Sequence, residues 1–152
     1  MTHGVEKAET GFRIVNWIGI IDQLATHLAG RRLQALELTV PQFALLNHFV
    51  LRGQERQTVT RLTRAMQLTQ PAITKTVKAL VAAGYLETRA DSDDHRVKWL
   101  TLTAQGQEIR DRSIDLLGPD IGELFRDWGP EEMANLLSQL DRLKRYLDEH
   151  RP

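Results

Sequence analysis

The sequence predicts a mainly α-helical fold that carries one small β-hairpin. Three observations predict it. Apolar residues recur at three- and four-residue steps through both ends of the chain. Two further amphipathic segments meet in the middle across a joint of about three residues. Two short alternating runs around a charged turn follow directly after them. At 152 residues the chain fits one domain with helical extensions.

The first helix is expected over about residues 12–30. Ile14, Trp17 or Ile18, Ile21, Ala25 and Leu28 fall on one face, and Gly30 with Arg31 and Arg32 reads as its stop. Thr39-Val40-Pro41-Gln42 opens a second helix that ends near Leu51, with Phe43, Leu46, Phe49 and Val50 inward. A polar link, 52–57, leads to a third over Thr58–Gln67, with Val59, Leu62, Ala65 and Met66 as its buried side. A fourth covers Gln70–Ala83. Thr69 caps it, Pro71 suits its first turn, and Ile73, Val77, Leu80 and Val81 form its buried stripe. Gly84 ends it, because glycine accepts the left-handed conformation beyond a helix C-terminus.

Residues 85–89 and 97–103 alternate aromatic, β-branched and polar side chains and read as two strands. Asp91, Asp93, Asp94, His95 and Arg96 lie in the turn between them. A hairpin placed straight after the second helix of a helix-turn-helix is a wing, so about 39–103 reads as a winged helix-turn-helix lobe. From Ala104 to about Trp128 the chain reads as helix again, with Leu117, Ile121, Leu124, Phe125 and Trp128 on one side. Pro119 is expected to kink or split that helix. Gly129-Pro130-Glu131-Glu132 opens a last helix with an apolar stripe through Met133, Leu136, Leu137, Leu140, Leu143 and Leu147. These terminal stripes hold more apolar surface than a small lobe covers. The helices at about 12–30 and 104–150 are therefore expected to build a homodimer, against the plainer expectation of an intramolecular bundle.

Composition narrows the function. The chain has 41% apolar and 26% charged residues, an ordinary globular balance, and no cysteine. Disulfide frameworks, thiolate zinc sites, iron–sulfur clusters and thiol redox sensing are thereby excluded. Five scattered histidines show no ligand spacing, so neither a metal nor another cofactor is expected. The apolar runs are too short to cross about 30 Å of hydrocarbon. Glu6 and Glu9 precede the first of them, unlike a secretory signal, so a cytoplasmic protein with no membrane partner is expected. No GxSxG, P-loop, GxGxxG or HExxH pattern is present, and the paired carboxylates Asp93 and Asp94 fall on a solvated loop, so no enzyme is expected.

Lys plus Arg and Asp plus Glu both number 20, yet the charge is uneven along the chain. Residues 52–90 hold seven basic side chains against two acidic, whereas 91–152 hold nine against fourteen. A basic middle suits a polyanion, and double-stranded DNA is the expected partner. With Ile73 and Val77 inward, the fourth helix turns Gln70, Pro71, Thr74, Lys75 and Lys78 outward. Gln pairs with adenine edges, the Thr methyl meets a thymine methyl, and Lys reaches guanine acceptors or a phosphate. Thr69 and the helix N-terminus are placed to donate to a phosphate. Arg56, Arg61 and Arg64 are candidate phosphate contacts, and Arg96 extends toward a narrow minor groove. Asp94 is expected to pair with Arg96 or a neighbouring base and fix the loop, with Asp91 and Asp93 capping the turn. Any one of these residues alone is equally an ordinary solvated position.

The run from Thr69 to Leu86, with its Leu-x-x-x-Gly, followed by Asp94-His95-Arg96 and Leu102-Thr103, resembles the MarR (multiple antibiotic resistance regulator) family. The resemblance extends over nearly the whole chain. It implies a dimeric transcription factor, usually a repressor, that binds pseudo-palindromic operators and often responds to a small, commonly aromatic, ligand. It also implies that Arg96 is the wing-tip minor-groove arginine and Asp94 its orienting partner. His95 stands where the family often places a second arginine. The family's ligand pocket implies Trp17, His27, His48 and Phe49 as lining residues, although Trp17 and Phe49 read more readily as core. The alternative function is a winged-helix protein–protein adaptor without DNA binding.

Overall fold

Threonine opens four successive helices. Thr39, Thr58, Thr69 and Thr103 each accept the N–H of the residue three further on, at 3.3, 3.2, 3.3 and 3.0 Å. Each hydroxyl satisfies one of the amides that a helix start leaves without an intrahelical partner. At Thr39 the bond is reciprocal, since the Gln42 side chain takes the Thr39 N–H at 3.0 Å.

The structure is a computed structural model that describes residues 2–151. In chain order it contains α1 (Thr2–Leu33), a 3-10 turn (Gln34–Leu36), α2 (Val40–Leu51), α3 (Val59–Met66), α4 (Gln70–Ala82), β1 (Leu86–Ala90), β2 (Lys98–Leu102), α5 (Ala104–Leu124) and α6 (Pro130–Glu149). The chain divides into two compact units, one up to Leu116 and one from Leu117 onward, with α5 running through the division.

The first unit contains the winged lobe. Leu33, Leu38, Leu45, Leu46, Phe49, Leu62, Ile73, Val77, Leu80, Leu86, Leu100 and Ile109 make its buried core. On α2 the deepest positions are Leu45, Leu46 and Phe49, whereas Phe43 and Val50 are only half-buried. On α3 Leu62 alone is buried; Val59 and Met66 are half-covered and Ala65 is exposed. At about 100° per residue Val59, Leu62 and Met66 share one face, and Ala65 falls well round the helix from Met66 and Val59. Val81 on α4 is likewise half-buried.

α4 ends as its glycine foretells. Gly84 has φ +81°, its N–H donates to Val81 O at 3.0 Å, and Tyr85 N donates to Leu80 O at 2.9 Å. That pair of bonds is the Schellman closure. β1 and β2 pair antiparallel with Leu86 opposite Leu102 and Ala90 opposite Lys98. The link at 52–57 is more than a link. Gln57 is buried and exchanges both backbone bonds with Leu100, at 2.9 and 2.7 Å, adding a third short strand-like edge to the sheet. Its neighbours carry charge and no apolar alternation, so no strand period announces it.

The wing base and the start of α5 are pinned to the end of α4. Thr103 donates its backbone N–H to Tyr85 O at 3.1 Å and its hydroxyl to Gly84 O at 2.6 Å. A Cβ on Gly106 would lie 2.2 Å from Tyr85 O, so only glycine permits this approach.

Two helices depart from the sequence expectation. α1 begins at Thr2 rather than near residue 12 and runs through Gly30 to Leu33. Gly30 is no stop; it lies inside α1, and a Cβ there would meet Val40 Cγ2 at an ordinary contact distance of 3.6 Å. The break comes later, at Glu37, whose φ is 55°. Of the kink or split expected at Pro119, the split does not occur: α5 runs through as one helix and ends at Leu124, short of the expected Trp128. A proline deletes one N–H and crowds one carbonyl, and the turns on either side keep their remaining bonds.

The expected apolar stripes form but lie largely bare. On α1, Ile14, Trp17, Ile18 and Ile21 are all exposed, and coverage begins only at Ala25 and Leu28. In the second unit, α6 starts at Pro130, with Glu132 accepting the Gly129 N–H at 3.2 Å. Its Met133, Leu136, Leu137, Leu140 and Leu147 are exposed. Among the described residues no helix is long and apolar enough to cross a membrane.

Candidate nucleic-acid interface

α4 is amphipathic by construction. Ile73, Val77 and Leu80 anchor it in the core, so residues one or two positions away must face out. Gln70, Thr74 and Lys78 stand at four-residue steps and form one outward row; Pro71 and Lys75 form the row beside it. Gln70, Pro71, Lys75 and Lys78 are exposed and Thr74 is half-exposed. Thr69 is exposed too, and its oxygen is engaged by Ala72 N, which leaves the hydroxyl hydrogen to donate outward.

The wing tip is held by two carboxylates with different tasks. Asp94 Oδ1 accepts the Arg96 backbone N–H at 3.0 Å and Arg96 Nε at 3.1 Å, and its Oδ2 accepts an Arg96 terminal N–H at 3.1 Å. The arginine side chain is nevertheless 91% exposed. Asp91 Oδ2 accepts the backbone N–H groups of Asp93 and Asp94, both at 3.1 Å. Its Oδ1 accepts Trp99 Nε1 at 2.8 Å. Asp91 therefore caps the turn, and Asp93 takes part through its backbone N–H, where a carboxylate cap was expected. Both capping carboxyls sit below the ordinary aspartate range: Asp91 chiefly through the Trp99 hydrogen bond, Asp94 through the bonds from Arg96. The repulsion expected of acids beside DNA is thus tempered, since each carboxylate is occupied by donors.

The basic side chains reach the same sheet from the other direction. Arg56, just before the Gln57 bridge, lays its guanidinium over the Trp99 ring at 3.9 Å, and Arg61, on the first turn of α3, lies at 5.2 Å from the same ring. Arg61 also approaches Glu55, at 3.8 Å. Arg64 is exposed on the last turn of α3. The structure thus brings Arg56, Arg61 and the wing loop together around Trp99. Trp99 is the residue that sequence reasoning passed over. Its place one step from buried Leu100 on a two-period strand sends it to the outer face, and a tryptophan there is the missed signal.

The four ligand-pocket expectations lie in different settings. Phe49 is fully buried in the core. Trp17 is exposed, with the Arg13 guanidinium 5.4 Å from its ring centroid, and His27 is exposed ten residues further along α1, about 15 Å at helical rise. His48 is half-buried, and desolvation together with the Arg52 charge pushes its pKa below the usual histidine value. Among the described residues no group of three His, Cys, Asp or Glu side chains is arranged to hold a metal.

Known proteins resemble this chain. Residues 36–97 match the model of the MarR family. The transcriptional regulator AdcR of Streptococcus pneumoniae serotype 2 is 40% identical over 60 residues, which span 40% of this chain and 41% of that regulator's own length. A mutant MarR from E. coli complexed with operator DNA is 25% identical with TM-score 0.73, covering 86% of this chain and 93% of its own. The transcriptional regulator BldR from Sulfolobus solfataricus is 25% identical with TM-score 0.77, covering 91% of this chain and 98% of its own. The matched residues span α2 to α4 and the wing loop, and the solved MarR and BldR structures share the fold across most of the chain, so this chain is similar to MarR-family regulators.

Proposed function

We propose that the chain is a DNA-binding transcriptional regulator that acts as a homodimer, each lobe laying α4 in a major groove with its wing over the adjacent minor groove. One observation carries this reading. The exposed Gln70–Thr74–Lys78 row and an almost fully exposed Arg96, pre-aimed by Asp94, face outward from one lobe. The operator complex of the E. coli relative supports it. Gln70, Thr74 and Lys75 read base edges; Thr69, Pro71, Arg56, Arg61, Arg64 and Lys78 set the register on phosphates and sugars, with Arg96 in the minor groove.

The lobe at about 39–103 serves as the DNA-reading part, and the helices at about 12–30 and 104–150 as the dimer-forming part. The bare apolar faces of α1 and α6 support the second assignment. A pseudo-palindromic operator follows from a two-fold dimer, with half-sites one helical turn or a multiple apart. Repression by occupancy, release by a small ligand that prefers a different lobe spacing, and a cytoplasmic site of action complete the reading. The regulators it resembles are transcription factors rather than enzymes. No observation favours the adaptor alternative, which gives the cationic row no task.

Selection of bound sequences from a random duplex pool, followed by a salt titration on the best sequence, tests the proposal. An enriched inverted repeat, with affinity falling steeply as salt rises, is expected. Absence of duplex binding in dilute buffer overturns it.

A further inference from the structure

The outer face of the small sheet holds a linkage that reaches from the wing tip to α3. Leu100 and Gln57 pair across the sheet edge and are both buried, so their neighbours Trp99 and Arg56 fall on the opposite, outward face. There the Trp99 indole does two things. Its N–H is bonded to Asp91, the carboxylate that also ties down the backbone of the wing turn. Its ring receives the guanidinium groups of Arg56 and Arg61 at 3.9 and 5.2 Å. A free arginine samples many rotamers and must be ordered when it meets a phosphate, whereas one seated on an aromatic face is partly ordered beforehand.

Resting on the DNA-binding reading above, we propose that Trp99 is a positioning residue. Its ring pre-orders Arg56 and Arg61 as a phosphate-facing pair beside the wing, and its N–H keeps the wing tip in register with them through Asp91. Trp99 itself carries no charge and takes no phosphate. Its removal nevertheless alters how many phosphates the protein neutralises.

The test is a salt titration of the full chain on duplex DNA, comparing the parent with Trp99→Leu, Trp99→Phe, Arg56→Ala and the Trp99→Leu/Arg56→Ala pair. Arg56→Ala is expected to reduce the slope of log affinity against log salt by about one. Trp99→Leu is expected to reduce it by about one to two, although no charge is lost, and Arg56→Ala added to it should change little further. Trp99→Phe keeps a ring and is expected to restore most of the slope. A merely structural role would change thermal stability and leave the slope alone.

Should Trp99→Leu fail to fold, Trp99→Phe and Asp91→Ala carry the test. The phenylalanine variant should weaken binding in the parent and add nothing once Asp91 is gone. A parental slope in Trp99→Leu, or an equal cost of Trp99→Phe with and without Asp91, overturns the proposal and leaves the DNA-binding reading intact. A parent that ignores duplex DNA removes both.

Discussion

Asp94 grips Arg96 through both carboxylate oxygens, at 3.1 Å to Nε and 3.1 Å to a terminal nitrogen, while the arginine side chain stays 91% exposed. A bidentate pair so exposed adds little to folding stability, because water and salt screen it. Its consequence is directional, since it fixes where a cation points. Arg96→Ala should weaken duplex affinity and lower the salt slope by about one. Asp94→Ala should weaken affinity with the cation still present, through lost order. A titration of both variants against the parent checks the pair, and unchanged affinity in Arg96→Ala removes that residue from the interface.

The same wing should respond to acid. Asp91 and Asp94 are held below the ordinary aspartate value by donors that favour the carboxylate. A carboxyl with a depressed folded pKa contributes fully above its unfolded value, about 3.9, and loses that contribution as pH falls through the folded value. The wing turn should therefore keep its order at neutral pH and lose it only in acid below about pH 4. Carboxyl carbon shifts followed from pH 6 to pH 2 should show both groups titrating below an exposed aspartate. Normal titration would mean that the turn is not bonded as described.

Base reading and phosphate binding are separable on α4. Gln70→Ala and Lys75→Ala should change preference among operator variants by roughly 1–3 kcal/mol at the positions they touch. Lys78→Ala should instead weaken every sequence alike. Competition binding across single-base variants distinguishes the two outcomes, and an equal loss on all variants would move Gln70 or Lys75 to the phosphate set.

Gly106 has the tightest surroundings of the described glycines. Its Cβ would stand 2.2 Å from Tyr85 O and 2.7 Å from Leu102 Cδ1, against backbone that Thr103 already holds. Gly106→Ala should cost on the order of 1–3 kcal/mol or more, the usual penalty of overpacking. Gly118→Ala, with no atom near its Cβ position, gives the control. Urea unfolding of both measures the difference.

The bare faces on α1 and α6 predict the assembly. Leu137 is 70% exposed and Ile21 62% exposed, on stripes that no described residue covers fully. Leu137→Asp or Ile21→Asp should shift the parent from dimer to monomer in sedimentation velocity and reduce operator affinity with it. A monomeric parent would dissociate the DNA reading from a two-fold operator.

The lobe was legible in the sequence because its signals are local. The Thr69 cap, Pro71 in a first turn, Gly84 after α4 and the two-period runs of the wing each act over a few neighbouring residues, and each appears where it was expected. The outward row on α4 follows from the same logic, since burying Ile73 and Val77 dictates what faces out. Those features the sequence determined by itself.

Tertiary structure decided the rest. Gly30 looked like a stop and lies inside α1, whereas Gly106 proved to be the close approach, to Tyr85 O, because a glycine's meaning depends on what lies opposite it. The Gln57 edge, the shared aromatic seat of Arg56 and Arg61, and the division of labour between Asp91 and Asp94 join residues far apart in the chain or equivalent within a run of acids. Periodicity records which side of an element is apolar. It carries no record of which partner arrives from 40 residues away, and that is settled only when the core closes around Leu100.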